Sequence, residues 1–63
     1  MTMISQQTIE RCVKVVSQDF KKPDLLVIEA VVRSTFILHR GLSPEDIIKS
    51  SIIAYKTIVE TNE

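Results

Sequence analysis

The stretch RGLSPEDIIKSSI, residues 40–52, contains the local signals that decide the fold. Gly41 is the only glycine of the chain and follows two basic residues, as expected where a helix ends in a left-handed residue just past its last turn. Ser43 is a typical cap for a following helix, with Pro44 at the first position and acidic side chains in the first turn. The stretch therefore predicts two helices joined by a tight corner.

A second break lies upstream, in the stretch DFKKPD, residues 19–24. Pro23 lacks a backbone N–H and disfavours helical geometry at Lys22, so a helix arriving from the N-terminal side should stop by about Phe20. Pro23 also suits the first position of the next helix. The two breaks predict three helices, at about residues 5–20, 23–40 and 44–61.

Length and composition place the chain in a definite class. The 63 residues, 44% of them apolar, predict a single all-α domain over residues 1–63. A monomer of this size buries only about 60% of its unfolded surface, and a single cysteine and a single histidine provide neither an intramolecular disulfide nor a structural zinc site. We therefore expect oligomerisation to supply the missing burial, as a homodimeric helical bundle.

The second predicted helix is apolar around most of its circumference, with only Glu29, Arg33 and Arg40 on a charged strip. A strand is the rival interpretation of this Val- and Ile-rich segment, but its uninterrupted length and its helical caps favour a helix. Two short neighbours cannot easily cover such a helix, so we expect it to pack on a second subunit. The predicted dimer interface comprises Val27, Ile28, Val31, Val32, Leu38 and, from the third helix, Ile53.

The first predicted helix is two-sided. Its apolar stripe is Ile9, Cys12, Val13, Val16 and Phe20, at helical spacing. The opposite face is basic and offers a contact for a protein partner or for phosphate through Arg11, Lys14, Gln18, Lys21 and Lys22. A merely solvated surface is the plainer interpretation of such a stripe, and the same residues would also suit an acidic protein.

The sequence gives little indication of catalysis or of metal binding. There is no glycine-rich phosphate loop, no metal-ligand spacing and no nucleophile with a recognisable base, so we expect neither catalytic activity nor a cofactor or metal. Cys12 falls on the apolar stripe and is expected to be an inert, buried thiol. His39 is expected to be a helix-end residue near the last carbonyl groups.

A more specific alternative is a DNA-binding helix-turn-helix, in which the third helix would lie in the major groove. Three features weigh against it. Glu45 and Asp46 stand at the end of that helix that would meet the bases, the helix carries no arginine, and the supporting helix is about twice the usual length. Contact with nucleic acid through the charge of the first helix is a further alternative; such contact would be modest and sensitive to salt.

The functional expectation follows from these exclusions. We predict a small non-enzymatic regulatory or adaptor protein that acts as a homodimer by protein–protein interaction. The alternatives are a DNA-binding transcriptional regulator and a structural or assembly protein of a phage or mobile element. A cytoplasmic location without membrane insertion is expected, because the N-terminal stretch lacks a secretory pattern and the apolar segment at 25–38 is short and interrupted by charges.

Overall fold

The computed structural model describes residues 5–61, in which the chain forms three α-helices and no strand. Helix α1 spans Gln6–Ser17, α2 spans Leu25–Leu38 and α3 spans Pro44–Thr61. The prediction of an all-α fold of three helices is confirmed over this range. Residues 1–4 and 62–63 lie outside the described residues, and so do the ends of the predicted 1–63 domain and the first residues of the N-terminal stretch that lacks a secretory pattern.

Helix α1 begins and ends on serine side chains. The Ser5 hydroxyl caps the helix by accepting the Thr8 N–H at 3.2 Å. At the other end, the N–H groups of Asp19 and Phe20 bond carbonyls three residues back, and the Ser17 hydroxyl donates to the Lys14 carbonyl at 2.7 Å. This tightened turn ends α1 three residues before the predicted limit at Phe20.

Helix α2 starts at an aspartate cap. The Asp24 carboxylate accepts the N–H groups of Leu26 and Val27 at 3.2 and 3.3 Å. Pro23 therefore precedes the cap, and the prediction that it is the first residue of the helix is wrong. A carboxylate that satisfies two otherwise unpaired N–H groups fixes the start of a helix more strongly than a proline does, because proline only lacks a donor of its own.

The corner between α2 and α3 is built much as its sequence predicts. Gly41 has a φ of 96°, and the Leu42 N–H donates to the His39 carbonyl at 3.3 Å, which is the arrangement of a turn with a left-handed third residue. The Ser43 hydroxyl accepts the Asp46 N–H at 3.3 Å and so caps α3. Gly41 lies two residues beyond the α2 cap at His39, one residue later than predicted.

The core lies along the line where the three helices meet. Each helix contributes residues spaced three or four apart, so that a single face of each is buried. Helix α1 buries the face that its sequence predicts, with Cys12 and Val16 fully enclosed. The buried apolar residues are Ile9, Cys12, Val16, Ile28, Val32, Phe36, Ile47 and Tyr55.

Tyr55 of α3 holds the connection between the other two helices. Its hydroxyl accepts the backbone N–H of Asp24 at 2.9 Å. Its ring packs edge-on against Phe20, with the ring centroids 4.7 Å apart and an interplanar angle of 83°, a geometry that aromatic pairs favour. One side chain therefore contacts both the first part of the connection after α1 and the start of α2.

We predict that Tyr55→Phe lowers the free energy of unfolding by about 1–2 kcal/mol, because the ring remains while the partly buried Asp24 N–H loses its acceptor. Tyr55→Leu should cost about 3 kcal/mol, since the aromatic contact is lost as well. Urea unfolding followed by far-UV circular dichroism measures both. Equal stability of Tyr55→Phe and the wild type would contradict a structural role for the hydrogen bond.

Ser51 places a polar atom inside the core. Its side chain is fully buried, and among the described residues its hydroxyl has no hydrogen-bond partner. A buried hydroxyl without a partner costs about 1–3 kcal/mol. The small side chain does, however, suit the position where α3 lies against the other helices.

We predict that Ser51→Ala raises the free energy of unfolding by about 1 kcal/mol more than Ser50→Ala does. Ser50 is the matched control, because it lies next to Ser51 in α3, is only half-buried, and gains the same helix propensity on substitution. Urea unfolding of the two variants gives the comparison. A gain for Ser51→Ala no larger than that of the control would show that the hydroxyl is satisfied in solution.

Candidate interaction surface

Several large apolar side chains lie on the outside of the three-helix fold. Leu26 is 81% exposed, Leu38 75%, Ile53 68% and Ile37 64%. Single exposed apolar residues are ordinary on a protein surface, but a contiguous group marks an interface. Three of these four belong to α2.

The outer face of α2 is the side of the helix opposite its core residues. At 100° per residue, the residues of this face fall within about 120° around the helix axis. The centre of that arc lies roughly opposite Ile28 and Val32. None carries a charge, and Ala30 and Ser34 give the face a shallow middle. It comprises Leu26, Val27, Ala30, Ser34, Ile37 and Leu38, of which only Val27 is half-buried.

A shallow apolar groove of about 570 Å³ runs between α2 and α3 along one edge of this face. Leu26 and Leu38 stand towards its two ends, and Ser50 and Ile58 line it from α3. On α3, Ile53 lies about 60° around the helix from Ser50. The outer face of α2 and the groove therefore form one continuous apolar surface. Ile53 lies outside it, on the side of α3 that carries the exposed Lys49 and Lys56.

The structure divides the six residues predicted for the dimer interface. Ile28 and Val32 are fully buried among the chain's own helices, so they have no surface to offer a second chain. Val27 and Val31 are half-buried, and Leu38 and Ile53 are exposed. The predicted interface thus mixes core residues of the protomer with residues that another chain could reach.

Four residues of the outer face were not predicted: Leu26, Ala30, Ser34 and Ile37. The signal that would have found them is the wheel position opposite the core stripe of Ile28, Val32 and Phe36. A helix that is apolar nearly all round gives no contrast from which to choose that stripe. Thr35 adds to the difficulty, because it lies in the core, where its hydroxyl donates to the Val31 carbonyl at 2.8 Å.

Two charged residues border the outer face on the side of α1. Arg33 lies 3.8 Å from the Glu29 carboxylate and donates to the Gln6 side chain of α1 at 2.7 Å. Both charged side chains keep between a third and a half of their surface exposed. The pair contributes little to the stability of the protomer, but it gives this edge a defined polar character.

The predicted basic face is shorter than its sequence pattern suggests. Arg11, Lys14 and Gln18 are exposed on the side of α1 opposite Cys12 and Val16. Lys21 and Lys22 are exposed too, but α1 ends at Ser17, so these two lysines belong to the connection that follows. The helical part of the face therefore carries two cations.

The start of α3 presents acidic groups. Glu45 and Asp46 are exposed in its first turn, and the Asp46 carboxylate accepts the Ser43 hydroxyl at 3.1 Å. Their negative charge occupies the end of the helix where an approaching phosphate would otherwise find unpaired N–H groups.

Cys12 is a free thiol in the core. Burial raises its pKa, and the nearby positive charge of Arg11 offsets part of that effect. A raised pKa keeps the thiol in its unreactive protonated form. Within residues 5–61, no three side chains of the metal-ligating kinds come together, and no helix has both the length and the apolar character needed to cross a membrane.

Comparisons of the chain with protein-family models, with curated proteins and with solved structures find no match.

We predict that the Cys12 thiol reacts with iodoacetamide at least about 100-fold more slowly in the native protein than in urea, because it is reached only when the small domain opens. Mass spectrometry of timed samples measures the rate. Gln7→Cys, which places a thiol on the exposed face of α1 outside the apolar surface, is the matched control and should be modified rapidly without urea. Equal rates at Cys12 and at the control thiol would contradict the burial of Cys12.

Proposed function

We propose that this chain is a small non-enzymatic regulatory or adaptor protein that works by protein–protein interaction as a homodimer. The observation that supports the proposal is the continuous apolar surface formed by the outer face of α2 and the α2–α3 groove. A surface of this kind is unfavourable in water and is typical of a docking site for another chain.

The energy available from this surface is of the size that association requires. Burying the three most exposed side chains of this surface, Leu26, Ile37 and Leu38, yields about 1.5 kcal/mol each, or about 9 kcal/mol for the two copies of a dimer. Association costs about 4–15 kcal/mol. The half-buried Val27 and Val31 and the close approach allowed by Ala30 add to the gain.

The area that a dimer interface requires also supports the proposal. A standard interface buries about 800 Å² on each partner, which is about a sixth of the 4965 Å² that this chain exposes. Helix α2 is about 21 Å long, and its outer face alone supplies only part of that area. The groove extends the surface onto Ser50 and Ile58 of α3, which is why we include it in the interface.

The basic face of α1 stays free in such a dimer, because it lies on a different helix from the interface. It is the surface that we assign to a further macromolecular partner, with acidic protein surfaces as the matching chemistry. A DNA-binding role through α3 is not proposed, because Glu45 and Asp46 would repel phosphate at the end of the helix that approaches the bases.

We predict that the wild-type protein has twice the mass of one chain in light scattering at micromolar concentration, and that Ala30→Glu reduces it to the mass of one chain. The substitution puts a charge in the centre of the apolar surface, where burial without a partner is costly. It should leave the far-UV circular dichroism unchanged, because Ala30 is exposed and glutamate favours helices.

Lys14→Glu is the matched control, because it introduces the same side chain on the exposed face of α1 and should leave the dimer intact. A wild-type protein that stays monomeric at these concentrations would contradict the proposal. The same would follow if Lys14→Glu dissociated the dimer while Ala30→Glu did not.

A further inference from the structure

We propose that the second copy packs antiparallel along α2, so that Ala30 of one chain lies opposite Ser34 of the other across a two-fold axis. This inference rests on the proposed function, which supplies the dimer. It adds the direction and the alignment of the two helices.

The first argument is the order of side-chain sizes on the outer face of α2. Val27, Ala30, Ser34 and Ile37 follow the alternating spacing of three and four residues that two packed helices use for their contact line. The order is large, small, small, large, and it is the same in both directions along the helix. In an antiparallel pair Val27 meets Ile37 while Ala30 meets Ser34, and one two-fold axis at the level of Val32 satisfies both contacts.

The small residues at the middle set the distance between the helices. With Ala30 and Ser34 at the crossing, the axes can approach to about 8 Å, the lower end of the range for packed helices. At the same level along the helix, Leu26 of one chain then accompanies Leu38 of the other. Both leucines stand towards the ends of the α2–α3 groove, so the second copy covers the groove as well as the face.

The order of side-chain sizes also permits a parallel pair. The choice between the two arrangements rests on the edge of α2 that carries Glu29 and Arg33. A two-fold axis perpendicular to the helices keeps the same edge of both copies side by side. Arg33 of one chain then lies within about 3 Å, measured along the helix, of Glu29 of the second copy. Each Arg33 gains a second carboxylate, and both kinds of side chain are exposed enough to make the contact. By the same measure the two Arg33 residues also lie about 3 Å apart along the helix, so the two guanidinium groups stand between the two Glu29 carboxylates.

A parallel pair places the charges badly. Its two-fold axis runs along the helices and sets the Glu29–Arg33 edge of one copy against the opposite edge of the other. That opposite edge carries Val31 and Leu38, which offer no opposite charge. The parallel arrangement would remove water from the Glu29–Arg33 pair without adding any charged partner from the second copy, which is unfavourable. Charge complementarity therefore selects the antiparallel dimer.

The test is disulfide cross-linking between two variants, Ala30→Cys and Ser34→Cys, made as separate proteins of different mass. Both substitutions are small and lie at exposed positions. A disulfide needs Cα atoms within about 7 Å. In the antiparallel pair the 30–34 distance between chains is about 4–6 Å, whereas the 30–30 and 34–34 distances are near 8 Å because of the added 6 Å along the helix.

We expect an equimolar mixture of the two variants, oxidised under mild conditions, to form mainly the 30–34 disulfide. This mixed product should exceed each product joined through the same position, 30–30 or 34–34, at least about fivefold. The wild-type protein, whose only thiol is the buried Cys12, is the control and should give no cross-linked product. Cysteine variants that keep the far-UV circular dichroism of the wild type are the ones compared.

The outcomes separate this inference from the proposed function. Predominance of products joined through the same position, in a protein that light scattering shows to be dimeric, would overturn the antiparallel arrangement and leave the homodimer standing. A dimer that forms none of the three products would likewise overturn it, because the contact would then lie elsewhere. A monomer in light scattering would overturn the proposed homodimer, and the arrangement would fall with it.

Discussion

The hydrogen bond from the Asp24 N–H to the Tyr55 hydroxyl joins the start of α2 to the second half of α3. The same aspartate caps α2 through its carboxylate, so backbone and side chain of one residue fix both where the helix begins and how it sits against α3. Phe20 brings the first part of the connection after α1 to the same tyrosine ring. This junction holds the start of α2 against α3, and the rotation of α2 about its own axis decides which of its many apolar residues enter the core.

Local signals in the sequence predict the helices well, and contacts between distant residues explain the differences. Gly41, Ser43 and Pro44 act within a few residues of themselves, so the corner forms much as predicted. The Asp24 cap is also local, but the proline beside it is a competing signal that led to the wrong first residue. Phe20 has the correct spacing to continue α1, yet it pairs with a ring on α3, and nothing near it in the sequence specifies that contact.

The interaction surface was the harder feature to predict, because α2 has two apolar sides. Ile28 and Val32 are no more hydrophobic than Leu26 and Ile37, so composition cannot say which pair faces inward. The core stripe is found only by matching α2 to the buried faces of α1 and α3. The protomer has its own enclosed core, and a partner that binds only the folded chain would add to its stability by mass action.

Tyr55 also gives the fold an optical property. The chain contains one tyrosine and no tryptophan, so its intrinsic ultraviolet emission and most of its near-ultraviolet dichroism come from a single phenol. That phenol lies in an asymmetric, hydrogen-bonded setting against Phe20. The emission and the near-ultraviolet dichroism of this protein therefore report on the junction between α2 and α3 without any attached label.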